Sequence, residues 1–124
     1  DLIHLHPNII RTVHRLKQGE LILVTDAMRA GCMKNGLYDL GGQKVIVADG
    51  KATLENGTLA GSVLSLNDAV RHYHEVSSAS LAEAVYAATT LPAQRLGLPC
   101  GELAEGYDAD IVLFDEQLTI KELY

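Results

Sequence analysis

Four apolar residues, Leu21-Ile22-Leu23-Val24, run unbroken into Thr25, Asp26, Ala27 and Met28. A continuous aliphatic run with polar bounds predicts a strand buried on both faces, here ending at Asp26. In parallel α/β sheets the carboxyl ends of strands are where ligands bind and chemistry is done. A carboxylate placed there is costly unless it is paired, hydrogen-bonded or beside a metal. On the pattern alone, a turn-capping role for Asp26 within Thr25-Asp26-Ala27 stands level with a chemical one.

The rest of the chain divides around this run. Residues 1–6 read as the tail of a strand, and Pro7 suits the first turn of a helix. Ile9, Ile10, Val13 and Leu16 form that helix's apolar stripe, and Gly19 is its stop. Arg11, His14, Arg15 and Lys17 are then left to solvent. Strand, helix, strand is a βαβ unit and predicts a parallel sheet. Residues 29–62 break the rhythm with glycines and short alternating runs. Asp49-Gly50 is a two-residue hairpin signal and Asn56-Gly57 a second turn, so a small β-excursion is predicted at about 36–57.

Helices return at Ser65, where Ser65-Leu66-Asn67-Asp68 resembles a capping box with Asp in place of Glu. Leu66, Ala69, Val70 and Tyr73 are its predicted buried stripe. Ser80-Leu81-Ala82-Glu83 is a second box, with Leu81, Ala84, Val85 and Ala88 inward. Pro92 opens a third helix that stops near Gly97, residues 98–108 form a loop, and 109–115 read as a strand. The last residues, to Tyr124, begin another.

Composition narrows the function. With 124 residues, 48% hydrophobic and 21% charged, the chain is long and apolar enough for one globular domain. A net charge of −6 and scattered Lys and Arg argue against nucleic acid or an anionic membrane as partner. No apolar run approaches the roughly 20 residues of a membrane helix. No signal-peptide pattern is visible, so a cytoplasmic location is expected. Cys32 and Cys100 lack metal or redox spacing and read as reduced thiols. The chain opens at Asp1 without an initiator Met, and so reads as cut from something longer.

Other candidates for chemistry are weaker. His4 and His6 share a face if they lie on a strand, as two ligands of one metal must, but further ligands are not evident nearby. His72 and His74 point apart on a helix and read as surface residues. Ser62 lacks a nucleophile elbow. The run Gly57-Thr58-Leu59-Ala60-Gly61-Ser62 offers backbone N–H groups to an anion, or is a plain loop.

Four stretches carry a family resemblance. They are Asp1-Leu2-Ile3-His4, Leu23-Val24-Thr25-Asp26-Ala27-Met28, Asn56-Gly57-Thr58-Leu59-Ala60-Gly61-Ser62, and Gly101-Glu102-Leu103-Ala104-Glu105-Gly106-Tyr107-Asp108-Ala109-Asp110. In order and spacing they resemble the C-terminal part of the N-acetylglucosamine-6-phosphate deacetylases of the amidohydrolase superfamily. The fourth is shared across the superfamily, while the second and third point to the deacetylases.

The resemblance implies an α/β fold: the C-terminal portion of a (β/α)8 metal-dependent hydrolase barrel with pieces of a small β-sandwich. Residues 1–108 would belong to the barrel and 109–124 to the return into the β-domain. It implies that Asp26 is the general acid/base, taking a proton from a metal-activated water that attacks the acetamide and passing it to the departing amine. Asp1, Leu2, Ile3 and His4, with Leu59, Ala60 and Gly61, would contact the sugar phosphate. Leu2 stands where the family usually has Gly. The family's metal ligands, for zinc or iron, lie on earlier strands, so no metal ligand is expected in this segment and the segment alone is expected to be inactive. The complete protein is expected to be a homodimer. The alternatives are an amidohydrolase acting on cyclic amides, and a non-enzymatic folding or dimerisation module.

Overall fold

Pro7, with φ locked and no N–H to lose, starts α1 (Pro7–Leu16), and His6 caps it by accepting the Asn8 amide at its ring nitrogen. The computed structural model describes all residues, 1–124. After α1 come β1 (Gly36–Leu40), β2 (Gln43–Ala48), β3 (Lys51–Leu54), α2 (Leu66–Val76), α3 (Leu81–Ala88), α4 (Thr90–Leu96), β4 (Val112–Phe114) and β5 (Ile120–Leu123). The strands form two antiparallel sheets, β1-β2-β3 and β4-β5.

The βαβ expectation is not met within this chain. Residues 2–5 form a turn and a bend, and residues 21–26 are extended but join no ladder. Leu21 and Leu23 pack on the helical core, and the Leu23 amide donates to Ala87 O at 3.0 Å. Ile22 and Val24 face outward, Val24 with 72% of its surface exposed. The run is therefore covered on one face rather than two, because no strand of this chain lies beside it to pair.

The β-excursion is a meander. Gly41-Gly42 and Asp49-Gly50 are its two-residue turns, all four residues with positive φ, as the tight turns that follow strand twist demand. Val45 and Val47 alternate inward to join Met28, Ala30 and Ala52 in one small core.

A second core joins Val70, Tyr73, Ala79, Ala84 and Ala87, so the alanine faces of α2 and α3 let the helices come close. Leu66, Leu81 and Val85 of the expected stripes remain largely exposed. Ser80 makes the full reciprocal box: its Oγ accepts the Glu83 amide at 3.2 Å, and the Glu83 carboxylate accepts the Ser80 amide at 2.6 Å. At α2 the shorter Asp68 instead accepts from the Ser65 hydroxyl at 2.6 Å. α4 begins at Thr90, two residues before Pro92; a proline is tolerated there because the first four helical N–H groups have no intrahelical partner. Gly97, left-handed at φ 68°, ends it.

α1 turns differently from the reading of its pattern. Ile9, Val13 and Leu16 are exposed, whereas His14 is buried at 5% exposure and shares a 2.7 Å hydrogen bond with the Tyr73 hydroxyl. Ile10 lies against the same core. The Ile10–His14 line of the helix is thus the one that packs on this core. Burial, then the Glu83 charge, holds the Tyr73 hydroxyl above its usual range, so it stays neutral in that bond.

Two consequences are measurable. At Gly101, φ is +79° and a Cβ would stand 2.8 Å from Thr89 O, so Gly101→Ala should cost about 1–3 kcal/mol in denaturant unfolding. For Asp68, burial alone would raise the carboxyl, but the Ser65 hydroxyl and the Arg71 guanidinium outweigh it and hold the carboxyl low. Its contribution is therefore present above the ordinary carboxylate range and is lost as pH falls below about 4. Asp68→Asn should flatten that part of the acid limb of a stability–pH curve.

Candidate active site

Asp1 builds the first turn. Its Oδ1 accepts the Ile3 and His4 amides at 3.2 and 2.8 Å, and its Oδ2 lies 2.7 Å from His4 Nδ1. The other ring nitrogen, Nε2, reaches Ala60 O at 3.2 Å. His4 thus joins the start of the chain to a loop 56 residues away. The Leu2 and Ile3 side chains lie at the surface.

That loop leaves β3 through the Asn56-Gly57 turn, where Asn56 Oδ1 accepts the Thr58 amide at 3.0 Å. It then runs beside β3, with Leu54 N–H on Thr58 O at 2.8 Å and Ala60 N–H on Ala52 O at 2.9 Å. At Ser62 it changes partner. The Ser62 amide donates to Asp26 O at 3.3 Å, and the Met28 amide donates to Ser62 O at 2.8 Å. Gly61 permits this approach, since a Cβ there would stand 3.2 Å from Met28 Cβ. The amides of Leu59 and Gly61 have no partner in the chain.

Asp26 sits at the end of the extended run with φ at +51°, a backbone state uncommon outside glycine and tolerated best by Asp and Asn. The Thr25 hydroxyl accepts the Ala27 amide at 3.3 Å and braces the turn. The Asp26 carboxylate is exposed and makes no hydrogen bond within the chain. Backbone bonds tie Asp26 to the 58–62 ribbon, and the His4 ring ties the first turn to the same ribbon, so three separate segments meet. The bracing by Asp1 and Thr25 was missed from the sequence, although an aspartate or threonine at the head of a turn can accept the amide two residues on.

Other candidates fall outside this cluster or are committed elsewhere. His6 caps α1 from a turn, so the His4–His6 pair does not lie on a strand face. His74 Nδ1 bonds Ala79 O at 2.9 Å, and buried Ser62 uses its Oγ to accept the Leu64 amide. His72 is half-buried rather than on the surface. Burial, then the charge of Arg71, lowers its pKa, and its Nδ1 is without a partner. Cys32 and Cys100 are free thiols. No three of the His, Cys, Asp and Glu side chains gather as a metal site, so these residues do not by themselves fit a metal centre. No helix is long and apolar enough to cross a membrane.

An acid on a left-handed turn, a histidine and a glycine ribbon thus form one cluster at the surface. The chain belongs to the amidohydrolase family, whose profile matches residues 1–123. It is 45% identical over 124 residues to the N-acetylglucosamine-6-phosphate deacetylase of Lysinibacillus sphaericus, covering 98% of this chain and 32% of that protein. It superposes on the crystal structure of the Thermotoga maritima N-acetylglucosamine-6-phosphate deacetylase with a TM-score of 0.88 at 36% identity, covering all of this chain and 35% of the other. A Mycobacterium smegmatis deacetylase, solved as an aspartate-to-alanine variant in complex with N-acetyl-D-glucosamine-6-phosphate, matches at 31% identity and a TM-score of 0.83 over 99% of this chain and 34% of the other. The chain thus spans about a third of the length of the relatives it matches.

The tight Gly61–Met28 approach gives a local prediction. Gly61→Ala should push the ribbon off the 26–28 segment, and amide exchange at Met28 and Ser62 should quicken several-fold. Exchange at Val45 and Val47, inside the meander, should stay unchanged.

Proposed function

We propose that this chain is the C-terminal part of the barrel of a metal-dependent N-acetylglucosamine-6-phosphate deacetylase. Residues 21–26 are its last barrel strand, the 36–57 meander is an insertion, and residues 109–124 lead into a small β-domain. The outward faces of Ile9, Val13, Leu16, Ile22 and Val24 then pack against the remainder of the barrel, which supplies the ladder partners that the 21–26 run lacks here. The observation that carries the reading is the convergence of Asp26 and His4 on one ribbon through Ser62 and Ala60. The Mycobacterium relative's complex with the sugar phosphate favours this substrate over cyclic amides.

In this reading the substrate lies along residues 59–61, whose two unpaired amides offer hydrogens to its oxygens. Asp26, exposed and unencumbered, takes a proton from the water that attacks the acetamide carbon. As the C–N bond breaks, it gives that proton to the nitrogen. The products are glucosamine 6-phosphate and acetate. A divalent metal, zinc or iron, belongs to the complete protein; its holders are not gathered in this chain, and no step is derived through it.

In the complete protein, Asp26→Asn should lower kcat for acetate release by about 10²–10⁴-fold, with KM and melting temperature nearly unchanged. Wild-type turnover in that variant overturns the assignment. A chelator should silence the complete protein, and zinc or ferrous ion should restore it. Titrated calorimetrically with zinc, the isolated chain should show no tight site and no deacetylation.

A further inference from the structure

An asparagine followed by glycine is chemically labile, because the glycine has no side chain to shield its amide nitrogen from the asparagine carboxamide. This chain has two such pairs, Asn35-Gly36 and Asn56-Gly57, both exposed. The fold treats them differently. Gly36 pairs with Val47 in the β1-β2 ladder, and the Tyr38 ring stands 3.7 Å from where a Gly36 side chain would begin. The Tyr38 hydroxyl also donates to Lys34 O at 2.6 Å, so Asn35 is held from both sides. Asn56-Gly57 lies in a turn. Gly57 has φ at +83° and nothing within 4 Å of the place a Cβ would take. Its amide makes one hydrogen bond, to Leu54 O at 2.9 Å, on an exposed turn of the kind that opens locally at little cost. Asn56 Oδ1 accepts the Thr58 amide at 3.0 Å, which polarises the carboxamide carbon and folds the side chain along the backbone that follows.

We propose that Asn56 is a site of self-modification: the Gly57 nitrogen attacks the Asn56 carboxamide, and the isoaspartate that results dislodges the ribbon that follows. Only the consequence for activity rests on the function proposed above. The Gly57 nitrogen gives its proton to solvent base, the bond from that nitrogen to Asn56 Cγ forms, and the Cγ–Nδ2 bond breaks. Ammonia leaves with a proton from water, and nothing is oxidised or reduced. Water then opens the cyclic imide. Opening at Cγ gives ordinary aspartate; opening at the backbone carbonyl gives isoaspartate, whose main chain runs through Cγ and is longer by one methylene. The added atom falls immediately before Gly57, where the ribbon starts to pair with β3 through Leu54 N–H on Thr58 O at 2.8 Å and Ala60 N–H on Ala52 O at 2.9 Å. A longer main chain in so tight a turn shifts that register. With it moves Ala60 O, the partner of the His4 ring at 3.2 Å.

The test ages the complete protein in warm, mildly alkaline buffer and follows its tryptic peptides by mass spectrometry, residues 35–44 carrying one pair and residues 52–71 the other. The second peptide should gain the mass of an acid in place of an amide several-fold faster than the first, and fragmentation should place the change at residue 56, chiefly as isoaspartate. Amide exchange at Leu54 and Ala60 should quicken in the aged protein, and acetate release should fall in step with isoaspartate content. Asn56→Asp carries the charge on an ordinary backbone, so its kcat/KM should start within about twofold of wild type and outlast wild type under the same treatment. Conversion at Asn56 no faster than at Asn35 overturns the proposal, as does isoaspartate at 56 with exchange at Leu54 and Ala60 unchanged. A fresh Asn56→Asp variant as slow as the aged protein also overturns it, since charge and not chain length would then be the cause. A complete protein that hydrolyses no sugar-phosphate acetamide overturns the proposed function instead, and the peptide map with the exchange data still judges this inference separately.

Discussion

Two backbone hydrogen bonds, from the Ser62 amide to Asp26 O and from the Met28 amide to Ser62 O, couple the meander to the segment that carries Asp26. On one side lies the meander with its valine core; on the other, the extended run that ends at Asp26. The ribbon between them is a short stretch of backbone with β3 on one flank and the 26–28 segment farther along. Its side chains must be small where it turns from one partner to the other, and Gly61 with buried Ser62 meets that condition. Backbone pairing suits a site of this kind because it fixes distances without relying on long, flexible side chains.

The packing explains why the ribbon has this importance. Only 15 of 124 residues are buried, and they divide into two five-residue clusters with a few outliers, so neither core alone dictates how the halves meet. Every residue of β4 and β5 is exposed, and the outward sides of α1 and the 21–26 run are apolar and open. Open apolar surface on this scale, in a chain spanning a third of its relatives' length, belongs to faces made to be covered.

Local chemistry was legible in the sequence, and long-range partnership was not. The Ser80-Glu83 box, the Asp49-Gly50 turn, the Gly97 stop and the 98–108 loop depend on neighbours in the chain, and the structure has each of them. The 21–26 run reads as strand because its composition is that of a strand with neighbours on both sides; within this chain nothing pairs with it. The α1 stripe failed for a related reason. Its most apolar line has nothing here to face, so His14, which reads as a polar surface residue, became the contact through a partner 59 residues away. At the site, the motif segments around Asp26, His4 and the glycine ribbon were visible, and the structure gathers them. Asp26 is gathered to the ribbon by main-chain bonds, which residue identity does not encode, and His4 by a ring whose partner lies 56 residues away.

The His14–Tyr73 bond reaches further than the two helices it joins. His14 is the one buried residue of α1, and the turn carrying His4 leads through the cap residue His6 into the helix. Ten helical residues make a rod about 15 Å long. The far end of that rod is thus held by one buried hydrogen bond, while its near end follows a turn that the His4 ring ties to the 58–62 ribbon.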